Sequence, residues 1–143
     1  MKLLVIQGPN LNMLGKRDAR HYGRFTLEDL HDRLMSTFPE IDFSFFQSNH
    51  EGDLIDVLND AVDAEFDALL INPGAFTHTS VAIRDALEMI PFVKVEVHLS
   101  DIGGREDFRK INLVKDVVHK TFMGNKVDSY IEAIEFIQTK GVV

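Results

Sequence analysis

The segment KLLVIQGPN, residues 2–10, decides the fold class because it joins a short apolar run to a polar turn. The run from Leu3 to Ile6 is typical of a strand that is covered on both faces. It is far too short for a membrane-spanning helix or for the apolar region of a signal peptide. Gly8 and Pro9 then end the strand. The segment therefore predicts a buried strand with a polar carboxyl end.

Apolar runs of this kind alternate with helical patterns along the rest of the chain. Predicted strands cover residues 2–7, 41–47, 66–72, 92–98 and 117–123. Predicted helices cover residues 26–38, 53–64, 79–90 and 127–139. Thr26 and Asp29 form a T-x-x-D capping pattern at the start of the first helix. The alternation predicts a parallel five-stranded sheet with helices on both faces.

Five-stranded sheets of this type usually have the flavodoxin-like strand order 2-1-3-4-5. The expected fold is therefore a three-layer α/β sandwich, formed by residues 1–143 as a single domain. In this order the first, third and fourth strands are neighbours, and ligands bind at the carboxyl ends of the strands. These three strands end in GPNLN, NPGAFTHT and EVHLS. Their polar ends should converge on one cleft.

Length, composition and charge exclude several classes of protein. A chain of 143 residues is long enough for one domain with a real core. The absence of cysteine excludes a disulfide framework and a thiolate zinc site, and it fits a cytoplasmic location. A net charge of -8 argues against nucleic acid as a partner. No apolar run is long enough for a membrane partner. A local basic segment in such an acidic chain suggests a small anionic ligand.

The segment GPNLNMLGK follows a strand but lacks the spacing of a phosphate-binding loop. Such a loop has four residues between its glycines and then lysine followed by serine or threonine. Here six residues separate the glycines, and arginine follows the lysine. The segment is instead expected to be a tight turn that directs Asn10 and Asn12.

Two residues near the end of the fourth predicted strand suggest acid–base chemistry. Glu96 and His98 are two positions apart, so their side chains point to the same side of the strand. A carboxylate beside an imidazole fixes its tautomer and favours its protonated form. The alternative is a pair that only holds the sheet end together. His78 and His98 lack the short spacing of common metal sites, so no metal is expected. His31 and His119 are assigned ordinary structural roles.

The segment KRDARHYGR, residues 16–24, concentrates positive charge around Tyr22. A free phenol is a poor base at neutral pH, but a nearby guanidinium favours the phenolate. Arg17 can have this effect in a closed, dry site. The alternative is a solvated basic loop with Tyr22 as a surface anchor. The glycine and charge content of the segment predicts a mobile lid over the cleft.

The segment SDIGGREDFRK follows His98 and contains two further arginines. Arg105 and Arg109 could face the cleft, where arginine suits recognition of carboxylate or hydroxyl groups. Arg105 could equally pair with Glu106 or Asp107 at the surface.

Taken together, GPNLNMLGKRDARHYG, QSNHEGDLID, NPGAFTHTSVAIRDAL and EVHLSDI..REDFR resemble type II 3-dehydroquinate dehydratase, in order and in spacing. The resemblance implies a flavodoxin-like lyase that removes water from 3-dehydroquinate through an enolate and gives 3-dehydroshikimate. The reaction belongs to the shikimate pathway of aromatic amino acid biosynthesis or to quinate metabolism. The resemblance also implies that no metal or organic cofactor is needed and that the partners are further copies of the chain, in a homo-dodecamer of four trimers.

Individual residues acquire roles through the same resemblance. Tyr22 matches the base that removes the proton at C2, and Arg17 matches the arginine that keeps this tyrosine ionisable. Asn10 matches the residue that holds a water on the enolate oxygen. His98 matches the acid that protonates the leaving hydroxyl at C1, and Glu96 matches its orienting partner. The resemblance implies substrate-binding roles for Asn72, His78, Leu99, Ser100 and Arg109, and for Asp85 at a neighbouring subunit's site.

The chain departs from the family pattern in two places. Gly103 and Gly104 replace the usual His-Ala, which leaves the role of Arg105 open. The segment INLVKD replaces the usual HSY region after Arg109, so packing residues of the final third do not transfer. Two other classes of function remain as alternatives, a non-catalytic flavodoxin-like domain that binds a small anion and a structural interaction module.

Overall fold

The computed structural model describes residues 1–141 and contains a five-stranded parallel sheet in the order β2-β1-β3-β4-β5. The strands are β1 (Lys2–Gln7), β2 (Asp42–Gln47), β3 (Ala68–Asn72), β4 (Val93–Val97) and β5 (Lys120–Phe122). The α-helices are α1 (Ala19–Tyr22), α2 (Leu27–Thr37), α3 (Glu51–Ala61), α4 (Val81–Glu88) and α5 (Val127–Gly141). The predicted fold class and strand order are confirmed. Within residues 1–141, no helix is long and apolar enough to cross a membrane.

Side chains of β1 alternate between the two faces of the sheet, as the pleat requires. Leu3 and Val5 pack in a layer with residues of α2 and α5. Leu4 and Ile6 pack in a second layer with residues of α3 and α4. Because β1 is covered on both sides, its continuous apolar run has no polar alternation, and the result is a three-layer sandwich.

Several predicted boundaries are wrong by a few residues. The fifth strand is limited to Lys120–Phe122 instead of 117–123, because it pairs with β4 only from Val95 to Val97. A 3-10 turn at Lys115–Val117 occupies the preceding positions. The third strand begins at Ala68 rather than at residue 66. Most boundaries of the other strands and of the helices also differ from the predicted ones by a few residues. Helix termini depend on local caps.

Local caps explain where two helices begin. The predicted capping pattern of α2 is confirmed, because Thr26 Oγ1 accepts from the Asp29 N–H at 3.1 Å and the Asp29 carboxylate accepts from the Thr26 N–H at 3.0 Å. The short helix α1 lies in the segment that was expected to be a loop. Asp18 caps its N-terminus by accepting from the Arg20 N–H, and Gly23 ends it with φ 84°.

The carboxyl ends of β1 and β3 lie unusually close together. The Gly8 N–H donates to the Asn72 carbonyl at 2.7 Å. A Cβ atom at Gly8 would lie 2.6 Å from the Pro73 carbonyl oxygen, so any side chain there would force the two strand ends apart. This contact fixes the two strand ends next to each other, at the edge of the sheet where the strand order predicts a cleft.

Candidate active site

A pocket lies at the carboxyl ends of β1, β3 and β4, where the strand order predicts the cleft. Its lining includes most of the side chains that the sequence identified, namely Asn10, Arg17, Tyr22, Asn72, His78, His98, Leu99, Ser100 and Arg109. It also includes Arg105, whose role the sequence left open.

Tyr22 is contacted by two arginines on different parts of its side chain. The guanidinium carbon of Arg17 lies 3.6 Å from the centroid of the Tyr22 ring, a cation–π contact. Arg105 Nη1 donates to the Tyr22 hydroxyl at 2.6 Å. Both contacts place a positive charge against the Tyr22 side chain. Tyr22 ends α1, so this short helix places the ring between the two cations.

Positive charge is concentrated at this end of the pocket. Burial lowers the pKa of Arg17 most strongly, Tyr22 opposes this effect, and the charges of Arg105 and Arg109 lower the pKa further. Arg109 also donates to the Glu106 carboxylate at 2.5 Å. The net result in an acidic protein is a local site that suits a small anion.

Arg105 directly follows a short turn that Asp101 caps. Ile102–Gly104 form a 3-10 turn, and the Asp101 side chain accepts from the Gly103 N–H at 3.0 Å. Arg105 Nε is buried and has no hydrogen-bond partner among the described residues, so it can donate to a ligand. Arg105 therefore faces the cleft rather than pairing with an acidic neighbour at the surface.

His98 and Glu96 form the hydrogen bond that their spacing on β4 predicted. His98 Nε2 lies 2.6 Å from Glu96 Oε2, and both side chains are buried. Within residues 1–141 the other ring nitrogen, Nδ1, has no side-chain partner. His98 lines the pocket and Glu96 lies behind it, which suits a proton donor and its orienting carboxylate.

Three neutral side chains also donate to the Glu96 carboxylate. The donors are Thr77 Oγ1 at 2.5 Å, Asn112 Nδ2 at 2.9 Å and Thr121 Oγ1 at 2.8 Å. Burial alone raises the pKa of Glu96, but the hydrogen bonds and the charge of His98 outweigh this and lower the pKa to about 2. The donors thus keep a buried carboxylate ionised. Sequence reasoning missed all three, because each comes from a different strand end or loop and no local pattern marks them.

Backbone geometry positions the remaining polar groups of the pocket. Asn10 adopts a left-handed conformation with φ 69°, and its N–H donates to Asn49 Oδ1 at 2.9 Å. His78 Nδ1 lies 2.6 Å from the Ile111 carbonyl oxygen. Burial lowers the pKa of His78, so its neutral form is favoured more than usual. Asn72 is buried and makes hydrogen bonds on both sides of its amide.

Four sequence-based assignments need separate comment. Asn12 is exposed and does not line the pocket, so only Asn10 is directed into it. Asp85 is exposed on α4 and does not line the pocket either. His119 has an ordinary structural contact, in which Nδ1 accepts from the Lys94 N–H at 3.2 Å. His31 is half-buried, and its Nε2 lies 3.3 Å from Gln7 Nε2. No group of three acidic or histidine side chains that could hold a metal ion occurs among the described residues.

Comparisons with known proteins all point to one family of enzymes. The family model described as dehydroquinase class II matches residues 1–138. A 3-dehydroquinate dehydratase from Thermotoga neapolitana is 50% identical over 141 residues, covering 96% of this chain and 94% of that protein. One from Polynucleobacter necessarius is 46% identical, with 96% and 94% covered. The crystal structure of a type II dehydroquinase from Butyrivibrio crossotus superposes with a TM-score of 0.93 at 41% identity, covering 96% of this chain and 97% of that one.

Proposed function

The chain belongs to the class II dehydroquinase family and is a hydro-lyase of the 3-dehydroquinate dehydratase type, and we propose that the pocket at the ends of β1, β3 and β4 performs this reaction through an enolate. One observation carries the proposal. Tyr22, with a guanidinium on its ring and another on its hydroxyl, lines the same pocket as the His98–Glu96 pair. A base and an acid are thus available to one substrate. Family membership also argues against the two non-catalytic alternatives.

The first step is removal of the proton at C2, beside the ketone of 3-dehydroquinate. The Tyr22 phenolate accepts this proton, and the C2–H electron pair forms the enolate. Arg17 and Arg105 stabilise the phenolate before the transfer. The side chain of Asn10 holds a water molecule that donates to the enolate oxygen. This step creates the negative charge that must be stabilised for the reaction to proceed.

The second step is loss of the C1 hydroxyl. His98 donates a proton to this oxygen, the C1–O bond breaks, and the enolate electrons form the new C1–C2 double bond. Water and 3-dehydroshikimate leave. Glu96 stabilises the protonated imidazole before the transfer and fixes its orientation. The proton held by Tyr22 then returns to His98 through solvent, which restores both groups.

Binding groups surround the reacting atoms. Asn72 and the backbone of Leu99 and Ser100 hold the substrate carboxylate and a hydroxyl, and His78 and Arg109 contact the remaining hydroxyls. The concentration of guanidinium groups supports this proposal, because the substrate is a carboxylate. The reaction as written needs neither a metal ion nor an organic cofactor.

The proposed assembly is a homo-dodecamer of four trimers in which Asp85 reaches a neighbouring subunit's site. Asp85 is exposed outside the pocket of its own chain. Large apolar side chains are also exposed, among them Val81 at 57%, Phe108 at 59% and Ile111 at 56%. Such side chains favour association when they are contiguous. Light scattering of the purified protein tests the assembly, and a monomeric mass would contradict it.

The proposed setting is the cytoplasm, in aromatic amino acid biosynthesis or in quinate breakdown. A bacterial strain that lacks 3-dehydroquinate dehydratase and requires aromatic amino acids tests the biosynthetic role. Growth without the supplement would support it.

The direct test of the reaction is incubation of the purified protein with 3-dehydroquinate in the presence of a metal chelator. We expect the absorbance of the conjugated enone product to rise at the same rate with and without chelator. Tyr22→Phe serves as the background control. Absence of turnover by the wild-type protein would refute the proposed function.

A further inference from the structure

A network of four polar side chains, three of them buried, connects α2 to the pocket. Asn72 Nδ2 donates to the Tyr130 hydroxyl at 2.8 Å, and that hydroxyl donates to Gln7 Oε1 at 2.7 Å. Gln7 Nε2 lies 3.3 Å from His31 Nε2. Gln7 and Tyr130 are fully buried, and Asn72 is only 3% exposed. Polar groups at such depth are costly unless they are paired, so each bond constrains its neighbours.

His31, the member of this network that lies on α2, determines which atoms donate and which accept. The His31 ring stacks on Phe45 with centroids 3.9 Å apart. Burial lowers the pKa of His31 to about 4, so the ring is neutral at neutral pH and Nε2 can accept. Gln7 Nε2 therefore donates to His31, which turns Gln7 Oε1 towards Tyr130 as an acceptor.

The Tyr130 hydroxyl donates to Gln7, and this determines its role in the hydrogen bond to Asn72. A phenol has one proton, and Tyr130 uses it in the bond to Gln7. Its oxygen can then only accept, and the group that faces it is the amide of Asn72. A phenylalanine would fill nearly the same core volume but would not fix the orientation of the Asn72 amide.

The Asn72 amide is fixed from both sides. Its Oδ1 accepts from the Gly74 N–H at 3.0 Å, and one Nδ2–H donates to Tyr130. A reversed amide would set Nδ2 against the Gly74 N–H and Oδ1 against an oxygen without a free proton. One orientation is therefore satisfied and the other is not. Within residues 1–141 the second Nδ2–H has no protein partner, and Asn72 lines the pocket.

We propose that Tyr130 is a positioning residue for substrate binding, which holds the Asn72 amide with an N–H directed at the substrate. The proposal rests on the proposed role of Asn72 as an anchor for the substrate carboxylate or hydroxyl. Tyr130 does not line the pocket and acts only through Asn72. From the sequence, Tyr130 is expected only to lie in the last predicted helix, residues 127–139.

The test compares KM and kcat for 3-dehydroquinate in Tyr130→Phe and in wild-type protein. An anchor remote from the breaking bonds contributes equally to the ground state and the transition state, so its loss changes KM rather than kcat. We expect KM to rise about tenfold, as for loss of one oriented hydrogen bond, and kcat to change by less than about threefold. Ile90→Val is the control, because it removes one buried methyl group from the layer of α3 and α4, on the opposite face of the sheet from Tyr130. It should leave KM unchanged even if it lowers the melting temperature.

A double-mutant cycle shows whether Tyr130 acts through Asn72. Asn72→Ala alone should raise KM at least as much as Tyr130→Phe, and the double variant should match Asn72→Ala. Gln7→Met leaves both residues in place but removes the acceptor of Tyr130, and it should raise KM in the same direction.

Three results would overturn the inference, and they separate it from the proposed function. If Asn72→Ala raises KM and Tyr130→Phe does not, the positioning role is wrong but the anchor role stands. If the two effects add in the double variant, Tyr130 acts by another route. If Asn72→Ala leaves KM unchanged, the anchor role in the proposed function fails, and the inference fails with it.

Discussion

Arg105 Nη1 lies 2.6 Å from the Tyr22 hydroxyl, although 83 positions separate the two residues in the chain. The hydrogen bond joins the segment after β4 to the helix after β1. It supplies a positive donor to the oxygen itself, whereas Arg17 contacts the face of the ring. The proposed base is thus held by two cations that approach it from different segments.

Tyr22→Phe should abolish turnover of 3-dehydroquinate while leaving substrate affinity nearly unchanged. The substitution removes the proposed base, and we expect kcat to fall by about a thousandfold or more. Binding is spread over other polar groups of the pocket, so the dissociation constant measured by calorimetry should change little. A rate close to that of the wild-type protein would rule out Tyr22 as the base.

Arg105→Ala should lower kcat for 3-dehydroquinate. The Tyr22 oxygen loses its charged hydrogen-bond donor, so the charge on the proposed base is less well stabilised. The measurement is kcat for Arg105→Ala and for Arg17→Ala, in both of which we expect a decrease of about tenfold or more. Arg24→Ala is the control, since Arg24 is exposed and does not line the pocket. An unchanged kcat in both pocket variants would show that these cations do not assist the base.

His98→Ala should lower kcat by about a hundredfold to ten-thousandfold, because the leaving hydroxyl loses its proton donor. Steady-state kinetics with 3-dehydroquinate measures the loss. His50→Ala is a suitable control, because His50 is exposed at the start of α3 and lies outside the pocket. A decrease of only a few-fold in His98→Ala would indicate that water donates this proton.

The hydrogen bonds to Glu96 should make folding stability sensitive to acid. The pKa of Glu96 is about 2 in the folded protein, against an ordinary value of 4.5. The unfolded chain therefore binds this proton first as the pH falls, and the stabilisation is complete above about pH 5 and is lost towards pH 2. Thr121→Val removes one donor and should raise the folded pKa. The difference in the free energy of unfolding between pH 7 and pH 3 should then be smaller than in the wild-type protein.

Chemical denaturation at the two pH values measures this difference. Thr139→Val is the control, because Thr139 is exposed on α5 and its hydroxyl donates to the Phe136 carbonyl of the same helix. It should leave the pH dependence unchanged. An equal pH dependence in Thr121→Val and wild-type protein would show that the Thr121 bond does not stabilise the Glu96 anion.

Sequence reasoning was most successful where the deciding interactions are local or periodic. Apolar runs predict strands covered on both faces, and the pleat alone puts Glu96 and His98 on one side of β4. It was less successful at termini. β5 is shorter than predicted because its pairing with β4 limits it, and α1 went unpredicted because a single turn between Asp18 and Gly23 leaves no periodic signal.

Hydrophobic periodicity along single segments was therefore enough to predict the strands and most helices. The strand order that is usual for such sheets, together with the polar strand ends, then located the cleft. Tertiary structure alone decided which groups meet inside the cleft. Arg105 reaches Tyr22, three donors from separate segments surround Glu96, and Tyr130 reaches Asn72 across 58 positions. A hydrogen bond depends on distances of a few tenths of an ångström between side chains, and no pattern along the chain encodes such distances.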